Sequence, residues 1–187
     1  METEQEILSS VRAGDRKAMH RLYERLAGRA TAVAMRYLAD REEVKDVLQD
    51  SFVKVFTQIG RFDYRGEGSL QAWAMRIVAH EAVDSLRSRR RLQTLVSADD
   101  EAVERAVEVT MEEPDVGAVS DERLFQLIAA LPDGYRTVLN LYVFERMSHQ
   151  EIGRLLGIKA ATSASQFLRA KRMLATMIDN PQNQRTR

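Results

Sequence analysis

The residues of this chain best suited to chemistry are polar and basic rather than catalytic. Thr162, Ser165, Gln166, Arg169 and Arg172 recur at intervals of three and four, so an α-helix is expected to gather them on one face. An arginine donates two hydrogen bonds to guanine O6 and N7, and a glutamine meets adenine N6 and N7. Gln166 and Arg169 have the spacing for that readout, and Arg172, one step further along, suits a phosphate. A second group mixes rings and cations: Arg61, Phe62 and Tyr64 in a short loop, then Arg76, His80, Asp84 and Arg87 beyond it. Unstacked bases need flat apolar partners and their backbone needs positive charge, so this mixture suits single-stranded nucleic acid. In a third group, Asp46, Gln49 and Asp50 place two carboxylates and an amide on one helical face.

Nothing in the chain has the form of an enzyme site. There is no cysteine, so thiolate chemistry, disulfides and thiolate zinc sites are excluded. His20, His80 and His149 are scattered, and no glycine-rich phosphate loop is present. The expectation is a non-enzyme with no cofactor and no metal.

The elements that must position these residues are helices. Ser148-His149-Gln150-Glu151 has the capping-box order, followed by Ile152, Leu155 and Leu156 at helical spacing. Gly157 stands where a left-handed stop is needed, and Ile158 plugs the turn. A second helix opens near Ala160, burying Ser163, Phe167, Ala170, Leu174 and Met177. A short capped helix, a glycine turn and a helix with a basic outer face make a helix-turn-helix. Upstream, Thr3 with Glu6, Asp15, Asp40 and Ser69 are expected to cap four helices, with Gly60 ending the third. Asp121 caps another, and Pro132-Asp133-Gly134 turns the chain into the helix of Tyr135, Val138, Leu139 and Tyr142. Trp73 is expected in the core.

The composition fits this. At 187 residues the chain holds one domain or two small ones, and 44% apolar residues suffice for packed cores. No run approaches the ~20 apolar residues of a membrane span, and the acidic start lacks a signal-peptide core. The net charge is formally zero but unevenly spread. Arg87, Arg89, Arg90 and Arg91 form one basic cluster and the stretch from Arg146 to the C-terminus another, with an acidic belt between Ser97 and Glu122. Periodicity fades after Arg91, apart from some local helix expected around Ala102 to Val109. The fold is therefore expected to be all-α: two small helical domains, residues 1–91 and 121–180, joined by an acidic linker over 92–120, the second containing the helix-turn-helix. Residues 181–187 form a polar tail.

Three stretches resemble a known family. Asp46-Val47-Leu48-Gln49-Asp50-Ser51-Phe52-Val53-Lys54-Val55-Phe56 resembles the core-polymerase-binding helix of bacterial sigma factors. Gly68 to Ile77, continuing to Asp84 and Arg87, resembles their −10-reading helix. Leu131 to Val138 with the downstream helix-turn-helix resembles their −35-reading domain. No domain lies between the two blocks, as in the extracytoplasmic-function group. The resemblance implies a factor that binds core RNA polymerase (its β and β′ subunits), recognises −35 and −10 promoter elements and promotes melting. It implies polymerase contacts at Asp46, Gln49, Asp50 and Lys54, and −10 contacts at Arg61, Phe62, Tyr64, Arg76, His80, Asp84 and Arg87. At the −35 element it implies Arg136, Lys159, Thr162, Ser165, Gln166, Arg169 and Arg172. Promoter DNA and an anti-sigma factor are the other implied partners, in the cytoplasm and without membrane insertion. Two departures stand out. The family usually has asparagine where this chain has His80, and often a cation where it has Ala164. The alternative is a stand-alone helix-turn-helix regulator, which has no need of the Asp46–Phe56 helix or of the aromatic-basic loop.

Overall fold

The computed structural model describes residues 2–88 and 119–179. The basic cluster at Arg89, Arg90 and Arg91, most of the acidic linker with its local helix, and the tail lie outside the described residues. Among those described the architecture is all-α, and the chain divides into two compact units, Met1–Ser85 and Leu86–Arg187.

In the first unit, α1 (Glu4–Arg12) opens with the expected capping box: Glu6 N–H donates to Thr3 Oγ1 at 3.2 Å, and Thr3 N–H donates to Glu6 Oε2 at 2.8 Å. Ile7, Leu8 and Val11 form its buried stripe. Asp15 caps α2 (Arg16–Tyr37) through Lys17 N–H, and the helix runs through Gly28 unbroken. Its buried positions, from Ala18 through Leu22, Leu26 and Val33 to Tyr37, follow the helical repeat. Asp40 caps α3 (Arg41–Gln58), which buries Val44, Val47, Phe52 and Val55. Leu48 and Phe56, which the helical repeat places beside these, are only half-buried. Gly60 does not end α3 by turning left-handed. The helix stops at Gln58 and tightens into a 3₁₀ turn, Ile59–Arg61.

Helix α4 (Ser69–Ser88) corrects a second expectation. Ser69 is not its cap, because the Ser69 hydroxyl donates back to the Gly66 carbonyl at 2.6 Å. The amides at the start of α4 are met instead by Glu4 of α1, whose carboxylate accepts Gly68 N–H at 2.8 Å and the N–H groups of Leu70 and Gln71 at 3.1 Å. The cap is supplied by a residue more than sixty positions away, where a local reading cannot see it.

The second unit comprises α5 (Asp121–Ala129), α6 (Asp133–Val143), α7 (His149–Leu156) and α8 (Ala160–Asp179). Ser120, one residue before the expected Asp121, caps α5 by accepting Arg123 N–H. Leu127, Ile128, Leu131, Leu139, Ala170 and Leu174 form the core, with Tyr135, Phe167 and Met177 packed against it. Between α7 and α8 the chain is tight. Ser148 and Glu151 form the expected capping box, and Gly157 closes α7 at φ 71°. Gly153 lies so close to the turn that a Cβ there would stand 2.7 Å from the Ile158 carbonyl oxygen.

These two glycines generate a prediction. Gly157→Ala forces a side chain into the left-handed region and is expected to destabilise the second unit by about 1–2 kcal/mol. Gly153→Ala is expected to cost more, since the atom it meets is backbone and cannot rotate away. Urea unfolding followed by far-UV circular dichroism measures both. Unfolding of both variants at the unaltered chain's midpoint would contradict this reading of the turn.

Candidate nucleic-acid interface

The first candidate surface lies on α3. Asp46, Gln49 and Asp50 are all exposed on it, so the helix displays the two carboxylates and the amide as the spacing demands. Beside them runs a groove of about 530 Å³ whose apolar wall is Tyr23, Leu48, Phe52, Val53 and Phe56, with Lys45 and Gln49 also lining it. Tyr23 packs on Phe52 with ring centroids 4.6 Å apart, yet stays 45% exposed, and Val53 is 58% exposed. Neither is among the contact residues expected from the sequence, although a valine at an outward position of an amphipathic helix is a signal in itself. Lys54 bonds to Glu81 of α4 at 2.5 Å, and this hydrogen bond raises its pKa. Its ammonium therefore joins α3 to α4.

The second surface combines the loop after the 3₁₀ turn with one face of α4. Arg76, His80, Asp84 and Arg87 follow at steps of four, four and three, which keeps them on one side of the helix. Arg76, Asp84 and Arg87 are exposed and His80 is half-buried. In the loop Arg61 is exposed, while Phe62 and Tyr64 are half-buried. Phe62 packs against Trp73, centroids 4.9 Å apart and planes tilted by 34°. Trp73 is thus not a core residue as expected. It is half-buried, and its ring underlies the loop. Partial burial, then the Glu67 and Glu4 carboxylates, raise the pKa of the Tyr64 phenol, which keeps it a neutral ring. Two rings at the surface flanked by cations provide what unstacked bases require.

The third surface is the outer side of α8, and here two expected residues are withdrawn. Gln166 is only 6% exposed. Its neighbours three back and four ahead, Ser163 and Ala170, are fully buried, so it belongs to the stripe facing the core and cannot read a base. Arg136 is 5% exposed and its guanidinium is already engaged. It donates to the carbonyls of Ala129 at 2.7 Å and Leu131 at 3.2 Å and bonds the Asp133 carboxylate at 2.5 Å. It therefore closes the C-terminal end of α5 rather than meeting DNA. Lys159 and Ala164 are exposed, and Thr162, Ser165, Arg169 and Arg172 are half-buried on the remaining surface. Ser165 Oγ donates to the Thr162 carbonyl, and one Arg169 nitrogen lies 3.5 Å from the Tyr135 hydroxyl, which steadies that guanidinium against α6. Lys171, which the sequence reading left out, is exposed beside them.

His149 locks the two helices of the motif together. Its Nδ1 is 3.0 Å from Ser163 Oγ, and its ring stacks on Tyr142 at 4.6 Å and 15°. Burial lowers its pKa, because the charged ring would lose solvation.

Two stretches of the chain match known domain families. Residues 22–92 match the family described as Sigma-70 region 2, and residues 121–174 match Sigma-70, region 4. The RNA polymerase sigma-H factor of Pseudomonas aeruginosa is 29% identical over 178 residues, covering 91% of each chain. The ECF RNA polymerase sigma-E factor of Haemophilus influenzae is 27% identical over 183 residues, 94% of this chain and 95% of that one. Among solved structures, the sigma factor RpoE of Bartonella quintana, in complex with the anti-sigma factor NepR, aligns at 19% identity with a TM-score of 0.49. That alignment covers 88% of this chain and 99% of the other.

The third surface and His149 each give a prediction. Gln166→Ala is expected to cost about 1–2 kcal/mol of stability, as loss of a buried polar side chain does, and to leave base preference unchanged. Arg172→Ala is expected to weaken all duplexes alike and reduce the salt slope by about one unit. Arg169→Ala is expected to relax one position. Binding to single-base duplex variants at several salt concentrations, beside thermal unfolding, separates the three. For His149 the folded state resists protonation. The ring's contribution is complete above the ordinary histidine value of 6.5 and is lost as pH falls through that value toward the lower folded-state one. Thermal melts on either side of that value are expected to show a drop in Tm on acidification that His149→Phe removes.

Proposed function

The chain belongs to the sigma-70 family of RNA polymerase sigma factors, in its extracytoplasmic-function group, and from that membership we propose how its surfaces divide the work of starting transcription. Its function is that of a sigma factor: it binds core RNA polymerase, recognises −35 and −10 promoter elements and promotes promoter melting. The observation that carries this over a stand-alone regulator is the presence of both sigma regions, in order, in one chain.

The α3 face of Asp46, Gln49 and Asp50, with the apolar groove beside it, is the surface we assign to core polymerase. Two carboxylates supply orientation and encounter rate, and exposed Tyr23 and Val53 supply area to bury. Lys54, four residues after Asp50 on the same exposed side, belongs to that surface and is steadied by Glu81. We assign the −10 element to Arg61, Phe62, Tyr64, Arg76, His80, Asp84 and Arg87. Bases leaving the duplex stack on the rings while the arginines hold their phosphates. His80 stands where a base edge is met by a ring nitrogen instead of an amide. The −35 element falls to Thr162, Ser165 and Arg169 for reading, with Lys159 and Arg172 on phosphates. The domains we propose are residues 1–91 for polymerase and the −10 element, 92–120 as tether, and 121–180 for the −35 element. The work is positioning and binding, with no catalytic step of the chain's own, and it takes place in the cytoplasm with polymerase. An anti-sigma protein that covers the polymerase-facing side of α3 is the regulator this arrangement invites. No described helix is long and apolar enough to cross a membrane.

Two measurements test the division. Replacing Asp46 and Asp50 with lysine is expected to weaken core binding by about a hundredfold or more, in the range set by breaking close charge pairs, with helicity unchanged. Association at full affinity would remove α3 from the interface. Arg76→Ala is expected to slow open-complex formation on duplex promoters and to matter less where the −10 region is already unpaired. Equal defects on both templates would mean that Arg76 acts elsewhere.

A further inference from the structure

Helix α1 lies before residue 22, where the match to the sigma region begins, and no surface assigned above includes it. It nevertheless touches both ends of the aromatic-basic loop. At one end Glu4, 3% exposed, receives the N–H groups of Gly68, Leu70 and Gln71. Its own N–H donates to Glu67 Oε2 at 3.1 Å, and Glu67 is held from the far side by Arg25 of α2 at 2.8 Å. At the other end of α1, Arg12 donates through Nε to the Ile59 carbonyl at 3.2 Å and through Nη2 to the Phe62 carbonyl. Eight residues separate Glu4 from Arg12, a helical rise of about 12 Å. Ile7, Leu8 and Val11, on the same side of α1 as Glu4, are buried and fix the helix to the unit.

We propose that α1 is a splint for the melting loop, and that Glu4 and Arg12 are positioning residues for promoter opening. The loop has a backbone that costs entropy to order and gains from an external support. Gly66 and Gly68 both sit at positive φ, 111° and 87°, and the segment has no helix of its own between Arg61 and Ser69. A ring presented on a slack loop loses the advantage of preorganisation when a base stacks on it. Arg12 ties down the carbonyl of Phe62, the residue whose ring lies on Trp73, and Glu4 ties down the chain where the loop enters α4. This inference rests on the assignment of the loop to the −10 element, and the experiment separates the two.

Trp73 is the only tryptophan, so its fluorescence reports the Phe62 contact directly. Glu4→Gln keeps the shape of the side chain but removes its charge, and Arg12→Ala changes an exposed residue. Each full-length variant is assembled with core polymerase and assayed for core affinity, for open-complex formation on a duplex promoter, and for iodide quenching of Trp73 in the free protein. The splint predicts unchanged core affinity, greater quenching, and open-complex formation slowed by about tenfold, the factor corresponding to one net charge-assisted hydrogen bond. On a template already unpaired at −10 most of that loss is expected to return. Unchanged quenching with normal opening overturns the proposal, and so does slow opening with unchanged quenching. Greater quenching with normal opening overturns it differently: α1 then holds the loop, but the loop does not melt DNA, and the −10 assignment falls with it. If Glu4→Gln unfolds the first unit, Arg12→Ala decides by the same readouts, and loss of core affinity in Arg12→Ala counts against the splint.

Discussion

Helix α4 begins with amide hydrogens that its own sequence does not satisfy, and the first unit is arranged around the carboxylate that does. A local N-cap contributes about 1 kcal/mol. A carboxylate that accepts several amides at once satisfies more of them than a single hydroxyl can. That carboxylate belongs to Glu4, so α1 must lie across the start of α4. The loop is then tied at both ends by α1, Phe62 rests on Trp73, and Arg76, His80, Asp84 and Arg87 follow along one side of α4. Lys54 and Glu81 tie α3, the helix we assign to polymerase, to α4. One helix thus links the surface we assign to polymerase to the surface we assign to the −10 element.

The second unit solves a different problem with backbone geometry. The two helices of its motif are joined by a very short connection, residues 157–159. Gly157 provides the left-handed residue, and Gly153 lets the turn approach the first helix more closely than any side chain allows. His149 and Ser163 bond across the connection, with Tyr142 and Phe167 packed round the ring. Arg136 closes the end of α5 from α6, so a cation that resembles a DNA ligand by its place in the sequence serves the fold instead.

Much of this was legible in the sequence because it is local. The capping boxes at Thr3 and Ser148, the caps at Asp15 and Asp40 and the glycine stop at Gly157 each depend on residues within four positions. What escaped depends on contacts between distant segments. Ser69 has the right type for a cap, but Glu4 is the stronger acceptor and tertiary packing brings it there. Gln166 was misplaced by a rotation of about 60° round the helix, the difference between three residues and a full turn. That error carries a side chain from the groove side into the stripe of Ser163 and Ala170. Trp73 was assigned to the core with Leu70, Ala74 and Ile77, the apolar positions of its helix, and the loop that covers it could not be foreseen from spacing.

The central claim is that one chain couples polymerase binding to strand opening. Permanganate reactivity of thymines across a cognate promoter measures that coupling most directly. The account predicts unpaired, reactive thymines in the −10 region only when this chain and core polymerase are both present, and none with either alone. Protection of a duplex site by the chain alone, with no reactive thymine appearing when core polymerase is added, would contradict it.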